Sequence, residues 1–404
     1  MNDQPQPSNR IDILLTVLVV LGLGVSICAV SAMLILSAIQ GLSFGGSFEP
    51  FGLVTALTFL IVGLSGIPLA VISLRRINDP SSDKPGLPSK TWFLTLLFFP
   101  LAIVVGHITF RSHNINPLLG AAAQLSAAVI PAVAVILIAR RNGPPLSGRR
   151  VWSLYIGGAW LAPVLSLIAE AILIIPFGLF ILGQSSDLPQ IQQLIEQIRQ
   201  GSTVLIGEEQ TLDLVSQPVI WVPVILFVSL LVPMIEEILK SIAIWPLLRR
   251  RIRPGEAFVG GVISGAGYAF VEALLLASPD PQWSVTMVAR VGATMMHSFT
   301  TGIVAWGLAR AWNENRLVNF LRAYGLAVLF HGLWNATTLA IVGFGIKSQT
   351  SVPSAEGILL AGSLMGLLIL IGLAIGAVIG IARLSKKFNP PLPSDEPLVD
   401  QSSG

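Results

Sequence analysis

Ten apolar runs of about 20 residues or more recur along the 404-residue chain, at 11–39, 51–74, 91–110, 117–139, 152–183, 218–247, 257–277, 288–311, 320–344 and 356–383. Runs of that length need hydrocarbon as their solvent, because about 20 helical residues at 1.5 Å each match the roughly 30 Å apolar core of a bilayer. Within that core each backbone N–H and C=O must find its partner inside the segment, so such runs are helices. The expected fold class is therefore all-α: a polytopic membrane bundle of about ten transmembrane helices. Composition agrees, with 53% hydrophobic and only 11% charged residues. Soluble domains are about one-quarter charged, so a water-exposed globule of this size is excluded. The net charge of +3 does not call for a nucleic-acid partner, and the one cysteine, Cys28, leaves neither an internal disulfide nor a cysteine-based zinc site.

Basic residues set the expected orientation, since Lys and Arg accumulate on the cytosolic side of short loops. With the N-terminus inside, 19 of the 24 fall on cytosolic segments, in groups such as Arg140, Arg141, Arg149 and Arg150 or Arg249, Arg250, Arg251 and Arg253. Arg111, Arg199, Arg290 and Lys347 fall outside, and Lys240 lies within a span. Both termini are thus expected in the cytosol. The expected organisation is a tail over 1–10, accessory helices one to five over 11–183, an outer loop over 184–216, a catalytic core of helices six to nine over 218–344, a tenth helix over 356–383 and a disordered tail over 389–404. In the outer loop, Leu188, Ile191, Leu194, Ile195 and Ile198 follow helical spacing and predict an amphipathic helix on the outer leaflet. Breaks are expected at Pro163, Pro176, Pro223, Pro233 and Pro246, where a helical hydrogen bond is lost. A ladder of Gly372, Gly376 and Gly380 in the tenth span suits packing within the bundle or between protomers.

Ionisable residues are costly inside a membrane and mark functional positions. The first four spans have almost none in their interiors, and the fifth has Glu170. Spans six to nine, by contrast, hold Glu236, Glu237, Lys240, Glu272, His297, His331 and Asn335. Counted from their cytosolic ends at 1.5 Å per residue, Glu236, Glu272, His297, His331 and Asn335 all fall roughly 16–22 Å deep. Glu236 with Lys240, Tyr268 with Glu272, and His331 with Asn335 are i,i+4 pairs, each on one helix face. Gly261 and Gly265 form a small-xxx-small surface that permits close helix approach near Glu272.

Carboxylates as general bases, histidines as proton donors or ligands and an amide for a developing oxyanion suit hydrolysis by an activated water. Each group also has a plainer explanation: Glu236 with Lys240 as a neutralising pair, His331 and Asn335 as interhelical hydrogen bonds, Glu272 as a protonated structural carboxyl. A proton-coupled transporter, or a non-catalytic scaffold, would use the same layer differently. Convergence of separate helices on one depth favours a site.

The ordered motifs Glu236-Glu237-Ile238-Leu239-Lys240 (EExxK), Tyr268 to Glu272 (aromatic-xxx-Glu), His297 opening HSFTTG, and His331 to Asn335 (HxxxN) resemble the PrsW family of intramembrane proteases, relatives of the CAAX-protease and bacteriocin-processing superfamily. Tyr268 stands where that family usually has Phe, and Ala273 where it often has Asn. The resemblance implies an integral membrane endopeptidase of the bacterial cytoplasmic membrane, cleaving a membrane protein or peptide of the anti-sigma-factor kind. It marks Glu236, Glu237, Glu272, His297, His331 and Asn335 as catalytic, with Lys240 and Tyr268 in support. The metal-free reading is preferred, because no HExxH pair places two ligands on adjacent turns. Were zinc present, Glu236, His297 and His331 would supply three ligands and leave a fourth position open.

Overall fold

The computed structural model describes residues 9–44, 50–79, 96–112, 116–183, 218–276, 282–350 and 353–388. The outer-loop helix and both expected tails lie outside these residues, apart from the last two positions of the first tail. Among the described residues every regular element is helical. In chain order they are α1 (Asn9–Phe44), α2 (Pro50–Leu64), α3 (Ile67–Asn78), α4 (Phe98–Arg111), α5 (Pro117–Asn142), α6 (Gly148–Ile156), α7 (Ala162–Gly183), α8 (Pro218–Leu226), α9 (Val232–Lys240), α10 (Trp245–Leu248), α11 (Pro254–Leu276), α12 (Trp283–Glu314), α13 (Leu317–Thr350) and α14 (Pro353–Lys387).

Among the described residues, eight segments are long and apolar enough to cross a membrane: Ile11–Ala32, Leu53–Ile77, Pro117–Asn142, Gly148–Phe180, Trp221–Leu248, Pro254–Leu276, Leu317–Gly345 and Gly357–Lys387. They match eight of the ten expected spans. The other two correspond to α4, whose described part has 14 residues, and to α12, which at 32 residues is ample in length but too polar to be among the eight. Its polarity has a physical reason: His297, Ser298, Thr300 and Thr301 are all buried and meet neighbouring helices rather than lipid.

The core of the bundle is α11, of which 83% is buried, whereas only 6% of the first span is. The α11–α12 contact is the most extensive between any two helices described. Glycine makes it so close. A Cβ on Gly261 would stand 2.5 Å from the Thr301 carbonyl oxygen, and one on Gly265 would stand 2.5 Å from that of His297. The expected small-xxx-small surface thus sets α11 directly on the α12 backbone. Large apolar side chains such as Val25 on α1, Ile175 on α7 and Leu368 on α14 point outward, as a hydrocarbon solvent permits. In the α14 ladder, Gly380 packs beneath the Phe299 ring, whereas Gly372 and Gly376 face open space.

Prolines shape two spans in the same way. A π-helical turn over Gly157–Leu161 joins α6 to α7 just before Pro163, and another over Phe227–Leu231 joins α8 to α9 just before Pro233. A proline removes the donor to the carbonyl four residues back, and a turn widened by one residue re-pairs the ladder: the Val232 N–H donates to the Phe227 carbonyl. At Pro246 a short 3₁₀ turn, Ile242–Ile244, precedes α10. Pro176 and Pro223 sit inside α7 and α8 without interrupting them. One break lies away from the five expected prolines, at Ser65 and Gly66 between α2 and α3, with Pro68 opening α3.

Ion pairs tie together the helix ends that the charge rule assigns to the cytosol. Asp12 of α1 is buried and lies 3.1 Å from Arg149 and 3.7 Å from Arg76. Glu256 meets Arg150 at 3.0 Å and Arg253 at 2.6 Å.

Candidate active site

Four helices deliver the polar layer. Glu236, Glu237 and Lys240 come from α9, Tyr268 and Glu272 from α11, His297 from α12, and His331 and Asn335 from α13. Glu236, Glu237, Lys240, Tyr268, His297 and His331 are all buried.

Lys240 is the hub. Its Nζ lies 2.6 Å from Glu236 Oε2, 3.1 Å from Glu237 Oε1 and 2.6 Å from His297 Nδ1. An ammonium has three protons, and three acceptor atoms surround this one. The Tyr268 ring closes the remaining side, 4.4 Å from Nζ to its centroid. Ser264 of α11 donates to the Lys240 carbonyl at 2.6 Å, where α9 ends.

Both histidines are held at one nitrogen by a carboxylate. His331 Nδ1 donates to Glu237 Oε1 at 2.9 Å, and His297 Nε2 meets Glu272 Oε2 at 2.8 Å. The opposite nitrogens face the interior of the site: His297 Nδ1 toward Lys240, and His331 Nε2 toward Glu236 Oε2 at 3.7 Å. The two imidazoles lie edge to face, with centroids 4.8 Å apart. A histidine oriented by a carboxylate has its tautomer fixed and its free nitrogen made more basic.

Asn335 takes a different contact. Its Nδ2 donates to the Val228 carbonyl at 2.9 Å, inside the π turn before Pro233. One turn earlier on α13, Gly332 lies against the Ser229 carbonyl so closely that a Cβ would collide with it. That is the carbonyl left without a helical donor by Pro233. The π turn, Gly332 and Asn335 together set the height of α9 against α13, and with it the approach of Glu237 to His331.

Two residues outside the motifs join the layer. Arg290, expected at the outer side, turns inward along α12, its Nη2 2.5 Å from Glu272 Oε2. It precedes His297 by seven residues, which is two helical turns and the same face; that spacing was the available signal. Glu170 of α7, which has no charged partner at helical spacing and reads from sequence as structural or peripheral to the site, comes within hydrogen-bonding reach of Glu236 and lies beside Lys240 and Glu272. Sequence spacing had no means of finding it, since its partners lie on other helices.

Ligand atoms of Glu236, His297 and His331 all lie within 4.8 Å of one another. One carboxylate and two imidazoles are a donor set that suits zinc, and each imidazole has the outer carboxylate typical of a metal-bound histidine. Charge points the same way, because four carboxyls (Glu170, Glu236, Glu237 and Glu272) face two permanent cations, Lys240 and Arg290. The donor set therefore fits a divalent ion by type and burial, although Lys240 already contacts two of the three donors.

Carboxylates and histidines gathered inside a helical membrane bundle are the groups that hydrolysis within a membrane would require. Residues 200–375 match the family model described as PrsW family intramembrane metalloprotease. That match over part of the chain agrees with the resemblance carried by its motifs. No curated protein and no solved structure matches the chain.

Proposed function

We propose that this protease cleaves membrane-associated proteins or peptides, of the anti-sigma-factor kind, with Glu236 as the base that activates water. The reading rests on one observation above others: Glu236 Oε2, paired with Lys240 at 2.6 Å, also faces Nε2 of His331 at 3.7 Å, so that carboxylate and imidazole converge on one point of the site. Lys240 lies 2.6 Å from Glu236 Oε2 and holds this carboxylate in place. Glu237 binds Lys240 and His331 together and so fixes their separation.

In this mechanism a water beside Glu236 loses its proton to the carboxylate and attacks the scissile carbonyl. Oxyanion stabilisation falls to Asn335, and to His331 once its Nε2 has taken up the proton that Glu236 removes from the water. Asn335 Nδ2 carries two protons, of which the Val228 carbonyl takes one. His297, held by Glu272, positions the water or passes a proton to the leaving amine, and Tyr268 shields Lys240. Zinc, when bound, would be held by Glu236, His297 and His331 and would supply Lewis-acid polarisation of the carbonyl. Helices α1 to α7 serve as the accessory part, both termini lie in the cytosol, and the membrane is the bacterial cytoplasmic one.

Glu236→Ala and His331→Ala test the reading, each compared with wild type by proteomics of membrane-protein fragments. Loss of the same cleavage products in both variants is expected. Unchanged fragments from two folded variants would refute it.

A further inference from the structure

We propose that Arg290 is a positioning residue for the reaction: it grips Glu272 so that this carboxylate holds His297 in a single orientation, with Nδ1 presented to the site. The inference rests on the proteolytic reading above only for its kinetic consequence, since the geometry stands by itself. One oxygen, Glu272 Oε2, lies 2.5 Å from Arg290 Nη2 and 2.8 Å from His297 Nε2, close ion-pair contacts without full hydrogen-bond alignment. Arg290 and His297 project from one face of α12, and Glu272 reaches between them from α11. The three side chains thus form a clamp across the most extensively packed helix pair described. The Arg290 side chain is only 14% exposed, so the guanidinium is committed to this contact rather than extended into solvent.

Clamping has a chemical consequence. A carboxylate paired with a little-exposed guanidinium rotates less freely, and the oxygen that meets Arg290 is the one that also faces His297 Nε2. The imidazole then keeps its proton on Nε2 and leaves Nδ1 as an acceptor, which is how Lys240 meets it at 2.6 Å. Without the clamp, Glu272 has several rotamers and His297 two tautomers. The Lys240 contact is then made for only part of the time, and Glu236 loses a fixed neighbour.

The full-length chain has four histidines, so selective ¹⁵N-histidine labelling resolves His297 once single substitutions have assigned the signals. In wild type and in Arg290→Lys, His297 is expected as one Nε2–H tautomer. In Arg290→Gln it becomes a tautomer mixture while His331 keeps its signal, and in a Glu272→Gln background Arg290→Gln adds no further change. A His297 signal indifferent to Arg290→Gln would overturn the proposal. So would an equal effect in the Glu272→Gln background, or equal disturbance of His331. With fluorescein-labelled casein as the probe, kcat is expected to fall at least tenfold in Arg290→Gln with KM within twofold, and to recover in part in Arg290→Lys. Glu236→Ala run alongside separates the two readings: if it cleaves like wild type, the proteolytic role of Glu236 fails while the histidine spectra still decide the clamp.

Discussion

Substituting Gly265 by Ala adds a single methyl group at the closest approach of α11 and α12. Its Cβ would stand 2.5 Å from the His297 carbonyl oxygen and 2.9 Å from both Ser298 Cα and Thr301 Oγ1. Real Cβ contacts begin at about 3.0–3.4 Å, so the helices must part by roughly 0.5–0.9 Å. Backbone lies on the far side, so no flexible side chain can yield instead. Overpacking of this kind costs about 1–3 kcal/mol, which is tolerable for a bundle of this size. Activity is more exposed, because His297 belongs to α12 and Glu272 to α11, and their 2.8 Å contact opens by a similar amount. A displacement near 1 Å in a catalytic constellation costs on the order of 100-fold in rate. Gly265→Ala is therefore expected to lower kcat by about 10- to 100-fold while the unfolding temperature in detergent shifts modestly. Gly376→Ala, with open space at its Cβ, is the matched control and leaves both readings unchanged. Wild-type turnover in a folded Gly265→Ala protein would refute the argument that helix proximity sets the site.

Lys240→Met leaves Glu236 and Glu237 without their buried cation and is expected to destabilise the protein by about 3–5 kcal/mol, measured by denaturant unfolding in micelles. Asp12→Ala strips Arg149 and Arg76 of their shared partner; a loss of about 1.5–3 kcal/mol should leave kcat untouched, because the three residues lie on α1, α3 and α6, which contribute no residue to the catalytic layer. Water activation by the side chains alone predicts cleavage that survives chelation. Stoichiometric zinc in the purified protein, lost in His297→Ala and His331→Ala, would transfer that role to the metal. Gly332→Ala drives a methyl group into the Ser229 carbonyl and is expected to separate α9 from α13, reducing cleavage at least tenfold through His331 rather than His297.

The layer of polar groups was legible because hydrophobic spans make every ionisable residue conspicuous, and depth along a helix follows from simple counting. Glu236, Glu237, Lys240, Glu272, His297 and His331 accordingly meet in the structure. Gly261 and Gly265 were legible for a similar reason, since their spacing implies a face. Arg290 was counted only as an outer-side charge because positive residues were being used to mark topology, so its contact with Glu272 was not foreseen. Glu170 and the true contact of Asn335 depend on which helices adjoin which, and no local spacing encodes that. The polarity of α12 shows the converse: its sequence alone makes a weak membrane span, and only its place inside the bundle explains why it is tolerated.

The π turn at Phe227–Leu231 can also be seen as a dislocation in phase. An α-helix advances about 100° per residue, so one residue taken up by the wide turn rotates everything after it by that angle relative to everything before. The upstream part, with Val222 and Leu226 exposed, keeps the face that lipid wets, while the downstream part turns its carboxylates inward. A one-residue deletion within the turn would cancel the offset and swing Glu236 and Glu237 about 100° away from the histidines, with every side chain still present. The chemistry of this chain thus depends on a count of residues as much as on their identity.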